Sequence, residues 1–250
     1  MEKNLLSISD LIKNGWQLYL DNFPKFLLPI GLMIPPYVLL YLAEYLNFLA
    51  LPPLMFLIMA LMIFINLWMS ILIIEMINKL FLKQEVQLNS LFESSFKKIP
   101  SYLLVAILVA LIVFGGIILF IIPGIIFSIW YSFAPYVNLL EDKNNKGRAA
   151  LKSSKELVQG RWWGTFIRLV LPTLLIYCFV IVIIFCLTYA IAGGNLNFDS
   201  MQQSLTFDLL YTAVILILSP LFAAFNVILY NNLKETKNST LDNSQSIISQ

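Results

Sequence analysis

The chain has 250 residues, of which 60% are apolar or aromatic and only 12% are charged. A soluble domain carries about 25% charged residues, so this chain cannot cover a surface that faces water. The composition excludes a soluble globular protein and indicates an integral membrane protein. The formal net charge is +2, and the sequence contains no histidine. The chain therefore lacks the commonest general base and the commonest metal ligand.

Aspartate, glutamate, lysine and arginine are absent from the middle of the apolar stretches. Proton-driven transporters and intramembrane hydrolases keep an acid, a base or a metal ligand within the membrane. A phosphate-binding loop of the GxxxxGK[ST] type is also missing. We therefore predict that the chain is not an enzyme and has no catalytic residues, metal site, cofactor or nucleic-acid partner. Cys178 and Cys186 are expected to be buried apolar residues of one helix.

Charge-free windows predict six membrane-spanning helices, because a bilayer core of about 30 Å is crossed by roughly 20 apolar residues. A charge at the centre of such a helix costs about 2.5–3.5 kcal/mol, so charged residues mark the ends of the windows. The predicted spans are residues 26–43, 51–74, 101–121, 124–140, 169–192 and 209–231. Together they make one transmembrane domain over residues 1–233.

The longest window, Ile99 to Leu140, must contain two of these spans. As one straight helix it would be roughly 60 Å long, about twice the bilayer core. Proline opens a helix and glycine tolerates a reversal of the chain. The turn between spans three and four is therefore predicted at Ile122-Pro123-Gly124, on the outer face.

All 16 lysine and arginine residues fall on one side of the predicted bundle. They precede span one, join spans two and three, join spans four and five, or follow span six. The connections on the other side contain only the acids Glu44, Asp199 and Asp208. Because basic residues are retained in the cytoplasm, we predict a multi-pass protein of the cytoplasmic (inner) membrane with both termini cytoplasmic.

Three segments on the basic side have apolar residues at helical spacing, beginning near residues 8, 88 and 147. Each precedes an odd-numbered span and is typical of a helix in the membrane interface. The predicted fold is an all-α polytopic membrane helix bundle with six transmembrane helices and three amphipathic interfacial helices. The unit of interfacial helix and two-helix hairpin would then occur three times, as a three-fold pseudo-repeat. Alternatively, any six-span protein with amphipathic connections would show this pattern. Residues 234–250 are polar and are predicted to form a disordered cytoplasmic tail.

The third amphipathic segment, residues 147–159, is the candidate lipid-sensing surface. Arg148, Lys152 and Lys155 are the candidate lipid-headgroup contacts on its polar face, and Lys143, Lys146 and Arg161 flank it. A basic residue near an anionic leaflet contributes about 1 kcal/mol. The alternative interpretation is that these charges only orient span five.

Neutral polar and aromatic residues within the spans are candidates for lining a cavity. They are Asn66, Trp130, Tyr131 and Asn226. Buried amides in lipid more often bond a neighbouring helix, and large rings more often pack. Prolines are expected to interrupt spans one, four, five and six, and Glu75 is expected to pair with Lys79 one turn later.

Residues 122–166 carry the most specific pattern of the chain. It comprises Ile122-Pro123-Gly124, Trp130-Tyr131-Ser132-Phe133, Glu141-Asp142, and Ala150-Leu151-Lys152-Ser153-Ser154 followed by Gly160-Arg161-Trp162. This pattern resembles the membrane domain of prokaryotic glycerophosphoryl diester phosphodiesterases and the six-span membrane proteins that carry this domain alone. The resemblance implies the fold and the membrane location, without an activity, because the catalytic domain of those phosphodiesterases is absent.

Two functions from different classes follow from these observations. The first is a non-enzymatic, lipid-interacting or envelope-organising module, or the membrane partner of another membrane or cytoplasmic protein. The second is a transporter or facilitator subunit for a small amphipathic or apolar solute. A packed centre would favour the first function, and a continuous cavity lined by the polar residues named above would favour the second.

Overall fold

The computed structural model describes residues 5–46, 52–141, 146–191 and 205–248, and these residues form helices without a strand. The helices are α1 (Ile8–Asp21), α2 (Phe23–Tyr45), α3 (Pro52–Phe81), α4 (Leu88–Leu119), α5 (Ile121–Trp130), α6 (Ala134–Leu140), α7 (Arg148–Val158), α8 (Trp162–Ile191) and α9 (Leu205–Ile248). Six segments are long and apolar enough to cross a membrane: α2, α3, α4, α5 with α6, α8 and α9. The predicted all-α, six-span membrane bundle is thereby confirmed. Residue 192, the predicted end of span five, lies outside the described residues.

The tight hairpin between spans three and four is present, but its predicted turn position is wrong. The chain reverses at Phe120, whose backbone is extended, and Pro123 and Gly124 lie in the first turn of α5. Proline fits there because the first amides of a helix have no partner within the helix. Gly124 instead permits close packing: a Cβ added to it would lie 3.0 Å from the Ile117 backbone nitrogen.

The first amphipathic helix packs lengthwise on the last span. The Leu6 amide donates to Asn232 Oδ1 at 3.0 Å, and the Tyr19 hydroxyl donates to the Ile217 carbonyl at 3.0 Å. Between these contacts, Gly15 lies so close to the Phe225 ring that a Cβ would collide with it. The apolar face of α1 is thus buried against α9, so the bundle itself covers this face of the amphipathic helix.

The other two amphipathic segments pack in the same way, each on the preceding two-span unit. The second is not a separate helix, because α4 continues from Leu88 through the third span. Its Ser95 hydroxyl accepts a hydrogen bond from the Trp68 indole of α3 at 3.0 Å. In α7, the Ser154 hydroxyl donates to the Trp130 carbonyl of α5 at 2.8 Å. The same contact therefore occurs three times, with a small residue of the amphipathic segment against an aromatic residue of another unit's second span. The first segment packs on the third unit, the second on the first unit, and the third on the second unit.

The buried core lies at the end of the bundle that carries α1, α7 and the first three turns of α4, here called the basic end. Residues 71–77 of α3, Phe133 to Leu139 around α6, and residues 221–233 of α9 supply most of it. Tyr136 and Tyr230 stack at the centre with ring centroids 6.2 Å apart. The centre at this end is packed. Away from it, many large apolar side chains are exposed, as expected for helices that face lipid.

Proline interrupts the described spans less often than predicted. Within them, only span four is broken, by a turn before Pro135 that separates α5 from α6. Pro220 stays within continuous α9, where the Ser219 hydroxyl donates at 2.8 Å to the Leu216 carbonyl that Pro220 leaves unbonded. The prolines of α2 and α8 also lie within continuous helices.

The structure also differs from the prediction of a disordered tail over residues 234–250, because α9 continues to Ile248. Thr236 is buried, and the Lys234 ammonium lies 3.0 Å from Glu141 Oε1. Lys237 lies 2.8 Å from Glu156 Oε2 of α7. The low apolar content of the segment was misleading, because polar side chains attach its described part to α6 and α7. Residues 249–250 lie outside the described part.

Candidate functional site

The candidate surface is the polar face of α7, and the fold holds this helix rigidly. Asn138 Oδ1 accepts the Gly147 amide at 3.3 Å just before the helix. The apolar face consists of Ala150, Leu151, Ser154, Leu157 and Val158, all of which are buried. The bundle itself therefore covers the apolar face. The polar face remains available.

The three candidate headgroup residues lie on the same side of α7, three and four positions apart. Arg148 and Lys152 are exposed, whereas Lys155 is half-buried. The Lys155 ammonium sits over the Trp130 ring, 4.5 Å from its centroid. The charge of Lys155 is thus held at an aromatic surface by a cation–π contact. Of the flanking residues, Lys146 is half-buried, and Lys143 lies outside the described residues.

The acidic residue on α7 has its main partner outside this face, although it also interacts electrostatically with Lys152. Glu156 pairs with Lys237, and the hydrogen bond from Lys237 holds the pKa of the Glu156 carboxyl below its ordinary value. The Arg161 guanidinium, just after α7, donates to the Thr236 hydroxyl. Both contacts fasten α7 to the end of α9, so the basic face keeps a fixed position relative to the spans.

The four candidate cavity residues do not meet. Asn66 accepts a hydrogen bond from the Tyr37 hydroxyl at 3.3 Å, which joins α2 to α3. Asn226 donates to the Phe222 carbonyl of its own helix at 3.0 Å. Trp130 borders a groove at the surface of the bundle, and Tyr131 lies in the break between α5 and α6. These positions match the interpretation of helix contacts and packing better than that of one continuous cavity.

A buried ion pair at the basic end joins three helices, and sequence spacing missed it. Glu75 of α3 is 5% exposed and pairs with Lys98 of α4, where Lys79 was predicted as its partner. The Ser94 hydroxyl donates to Glu75 Oε2 at 2.6 Å, and Lys98 also donates to the Leu139 carbonyl at 3.0 Å. Each carboxylate oxygen of Glu75 therefore has a partner from α4, and the pair links α3, α4 and α6.

A second set of polar contacts connects α9 to the other units. The Tyr230 hydroxyl donates to Glu141 Oε1 at 2.7 Å, and Asn231 donates to Asn78 Oδ1 at 3.0 Å.

Among the described residues, no group of three or more acidic or cysteine side chains could hold a metal ion. The cysteines of α8 are exposed, and the expectation that they are buried is wrong. The polar groups at the basic end therefore serve to join helices.

Comparisons of the chain with protein-family models, with curated proteins and with solved structures give no match. The resemblance to the membrane domain of glycerophosphoryl diester phosphodiesterases therefore stays a prediction. The chain is a multi-pass membrane protein by its six apolar spans.

Proposed function

We propose that this protein is a non-enzymatic module of the cytoplasmic membrane that gathers anionic lipid at its basic, cytoplasmic face. The proposal places both termini in the cytoplasm, which the distribution of basic residues supports. The observation that carries the proposal is the fixed basic face of α7, with Arg148 and Lys152 exposed and Lys155 held over Trp130. The resemblance to stand-alone phosphodiesterase membrane domains is part of the same proposal and concerns location only. A module of this kind would organise the envelope or act as the membrane partner of another protein.

The packed centre supports this function over a facilitator. At the basic end, Phe133, Tyr230, Leu221 and Ile77 are almost fully buried, so the space between the units is filled by side chains. The larger described grooves open at the sides of the bundle, between neighbouring spans. A facilitator needs a path through the centre, whereas a lipid-binding module needs only its lateral and basic surfaces.

Replacing Arg148, Lys152 and Lys155 together with glutamine is expected to reduce the enrichment of phosphatidylglycerol and cardiolipin around the protein several-fold. Each basic residue at an anionic surface contributes about 1 kcal/mol, and Lys155, being half-buried, contributes less. The measurement is native mass spectrometry of the full chain, extracted with its lipids retained and compared with the unchanged protein.

The matched control removes the same charge elsewhere. Lys13, Lys83 and Lys97 are exposed on α1, after α3 and on α4, away from α7. Their joint replacement with glutamine should leave most of the enrichment in place. Equal lipid profiles for the α7 variant and the unchanged protein would show that these charges only orient the chain.

A further inference from the structure

Within the described residues, an apolar groove lies at each of the three junctions between the two-span units. Each is bordered by the second span of one unit and the first span of the next: α3 with α4, α5 with α8, and α9 with α2. Their volumes are about 400, 530 and 170 Å³ respectively. Because the grooves lie between membrane-spanning helices, the molecules that can reach them are those of the bilayer.

The largest groove, here called the tryptophan groove, has an apolar wall and a polar end. Its lining residues are Ile122, Ile125 and Ile126 of α5 with Trp130, and Gln159, Gly160, Trp162 and Trp163 at the junction of α7 and α8. The Trp162 ring stacks on Phe166, with centroids 5.2 Å apart and planes within 8°. Its indole nitrogen lies 3.4 Å from the Ile126 carbonyl, to which it donates. These contacts fix one wall, while Trp163 is 71% exposed and free to contact a bilayer molecule.

The polar end of the groove adjoins the basic face of α7. Gln159 and Gly160 are exposed, and Lys155 lies one turn before Gln159 on α7. The Lys155 ammonium sits over Trp130, which is itself part of the groove wall. An ammonium has three donors, so this contact leaves donors free for a phosphate. Glu156 pairs with Lys237 and adds no net negative charge here.

We propose that the tryptophan groove holds one acyl chain of an anionic phospholipid, whose headgroup phosphate lies between Lys155 and Gln159. The inference rests on the proposed function and adds a defined site to it. Charge complementarity selects the occupant: the wall is apolar and at membrane depth, while the adjoining helix face is cationic. Arg148 and Lys152 concentrate anionic lipid nearby, and the groove retains one molecule of it.

Tryptophan fluorescence provides a direct test, because three of the five tryptophans line the groove. Trp16→Phe and Trp68→Phe substitutions remove the other two. The full chain is reconstituted in phosphatidylcholine vesicles with a small fraction of brominated phosphatidylglycerol, or with the same fraction of brominated phosphatidylcholine. We expect quenching by the brominated anionic lipid to be several-fold stronger than by the brominated zwitterionic lipid. Equal quenching by the two lipids would overturn the proposal.

Two variants separate this site from the general lipid surface. Ile125→Phe narrows the groove and should remove the preferential quenching, whereas Ile107→Phe, on the exposed side of α4, should not. Lys155→Gln leaves the groove shape unchanged and should lower the preference for the anionic lipid several-fold. If preferential quenching persists in both the Ile125→Phe and the Lys155→Gln variants, the proposal that the tryptophan groove binds an anionic phospholipid would be wrong.

The proposed function and the groove can fail separately. One possible result is that an Arg148→Gln, Lys152→Gln double variant loses the enrichment of anionic lipid while quenching is insensitive to Ile125→Phe. This result would support the lipid surface of α7 and contradict the lipid site in the groove. If quenching depends on Ile125 and Lys155 but the double variant leaves the lipid enrichment unchanged, the lipid site in the groove would be supported. The proposal that the α7 face gathers anionic lipid would then be wrong.

Discussion

Replacing Gly124 with alanine is expected to force α4 and α5 apart and to lower the free energy of unfolding by about 3 kcal/mol. A Cβ at this position would lie 3.0 Å from the Ile117 backbone nitrogen and 3.1 Å from its Cα, and would collide with its Cγ1. Backbone atoms cannot rotate away as the end of a side chain can, so the helices themselves must move. Unfolding of the purified protein in detergent, followed by tryptophan fluorescence, measures the loss.

Gly115 provides the matched control within the same hairpin. It lies in α4, and a Cβ added there would meet nothing within 4 Å. Gly115→Ala should therefore be neutral or stabilise the helix by up to about 1 kcal/mol, the difference in helix propensity. If both substitutions had the same effect, the close approach of α4 and α5 at Gly124 would be refuted.

Replacing Lys98 with methionine is expected to cost about 3 kcal/mol, the low end of the range for breaking a buried ion pair. The low end applies because the Lys98 side chain is 31% exposed, whereas that of Glu75 is only 6% exposed. Without Lys98, the Glu75 carboxylate keeps the hydrogen bond from Ser94 but loses its counter-charge. The same unfolding measurement applies.

The adjacent Lys97 provides the control for this prediction. It pairs with Glu93 at the surface, where both side chains are about 70% exposed, so Lys97→Met should cost less than about 0.5 kcal/mol. A Glu75→Gln, Lys98→Met double variant removes both charges and should recover much of the loss. Equal destabilisation by Lys97→Met and Lys98→Met would contradict the role of the buried pair.

The number of spans was predictable because it depends on local sequence and on the thickness of a bilayer. The position of the turn between spans three and four was not, since proline and glycine suit a helix start and a close contact as well as a turn. The spacing of Gly116 and Gly124 nevertheless indicates where the chain turns. They lie at equal distances from Phe120, as facing residues of a hairpin must, and both are tightly packed.

The surroundings of the amphipathic segments could not be predicted from their sequence pattern. Apolar spacing identifies a buried face but does not say whether lipid or protein covers it. Gly15, Ser95 and Ser154, in the middle of these faces, were the available signal, because small residues permit close approach of helices. The basic face of α7 was predictable from its charges alone.

Long-range polar partners could not be read from spacing. Lys79 lies one turn from Glu75 and was the natural local partner, yet Lys98 reaches Glu75 from the next helix. Likewise, Lys234 and Lys237 occur in a polar segment that resembles a disordered tail. Their acidic partners, Glu141 just after α6 and Glu156 on α7, come close to them only when the chain is folded.

The proposed lipid surface requires the basic end to face the cytoplasm, and thiol labelling tests this sidedness most directly. In a Cys178→Ser, Cys186→Ser background, a membrane-impermeant maleimide is applied to intact cells that carry either Ser200→Cys or Gln84→Cys. Ser200 lies outside the described residues, in the connection between spans five and six, and Gln84 is exposed between α3 and α4. We expect labelling of the Ser200→Cys protein in intact cells and of the Gln84→Cys protein only after lysis. Labelling of both proteins from the same side would contradict the six-span topology and, with it, a cytoplasmic basic face.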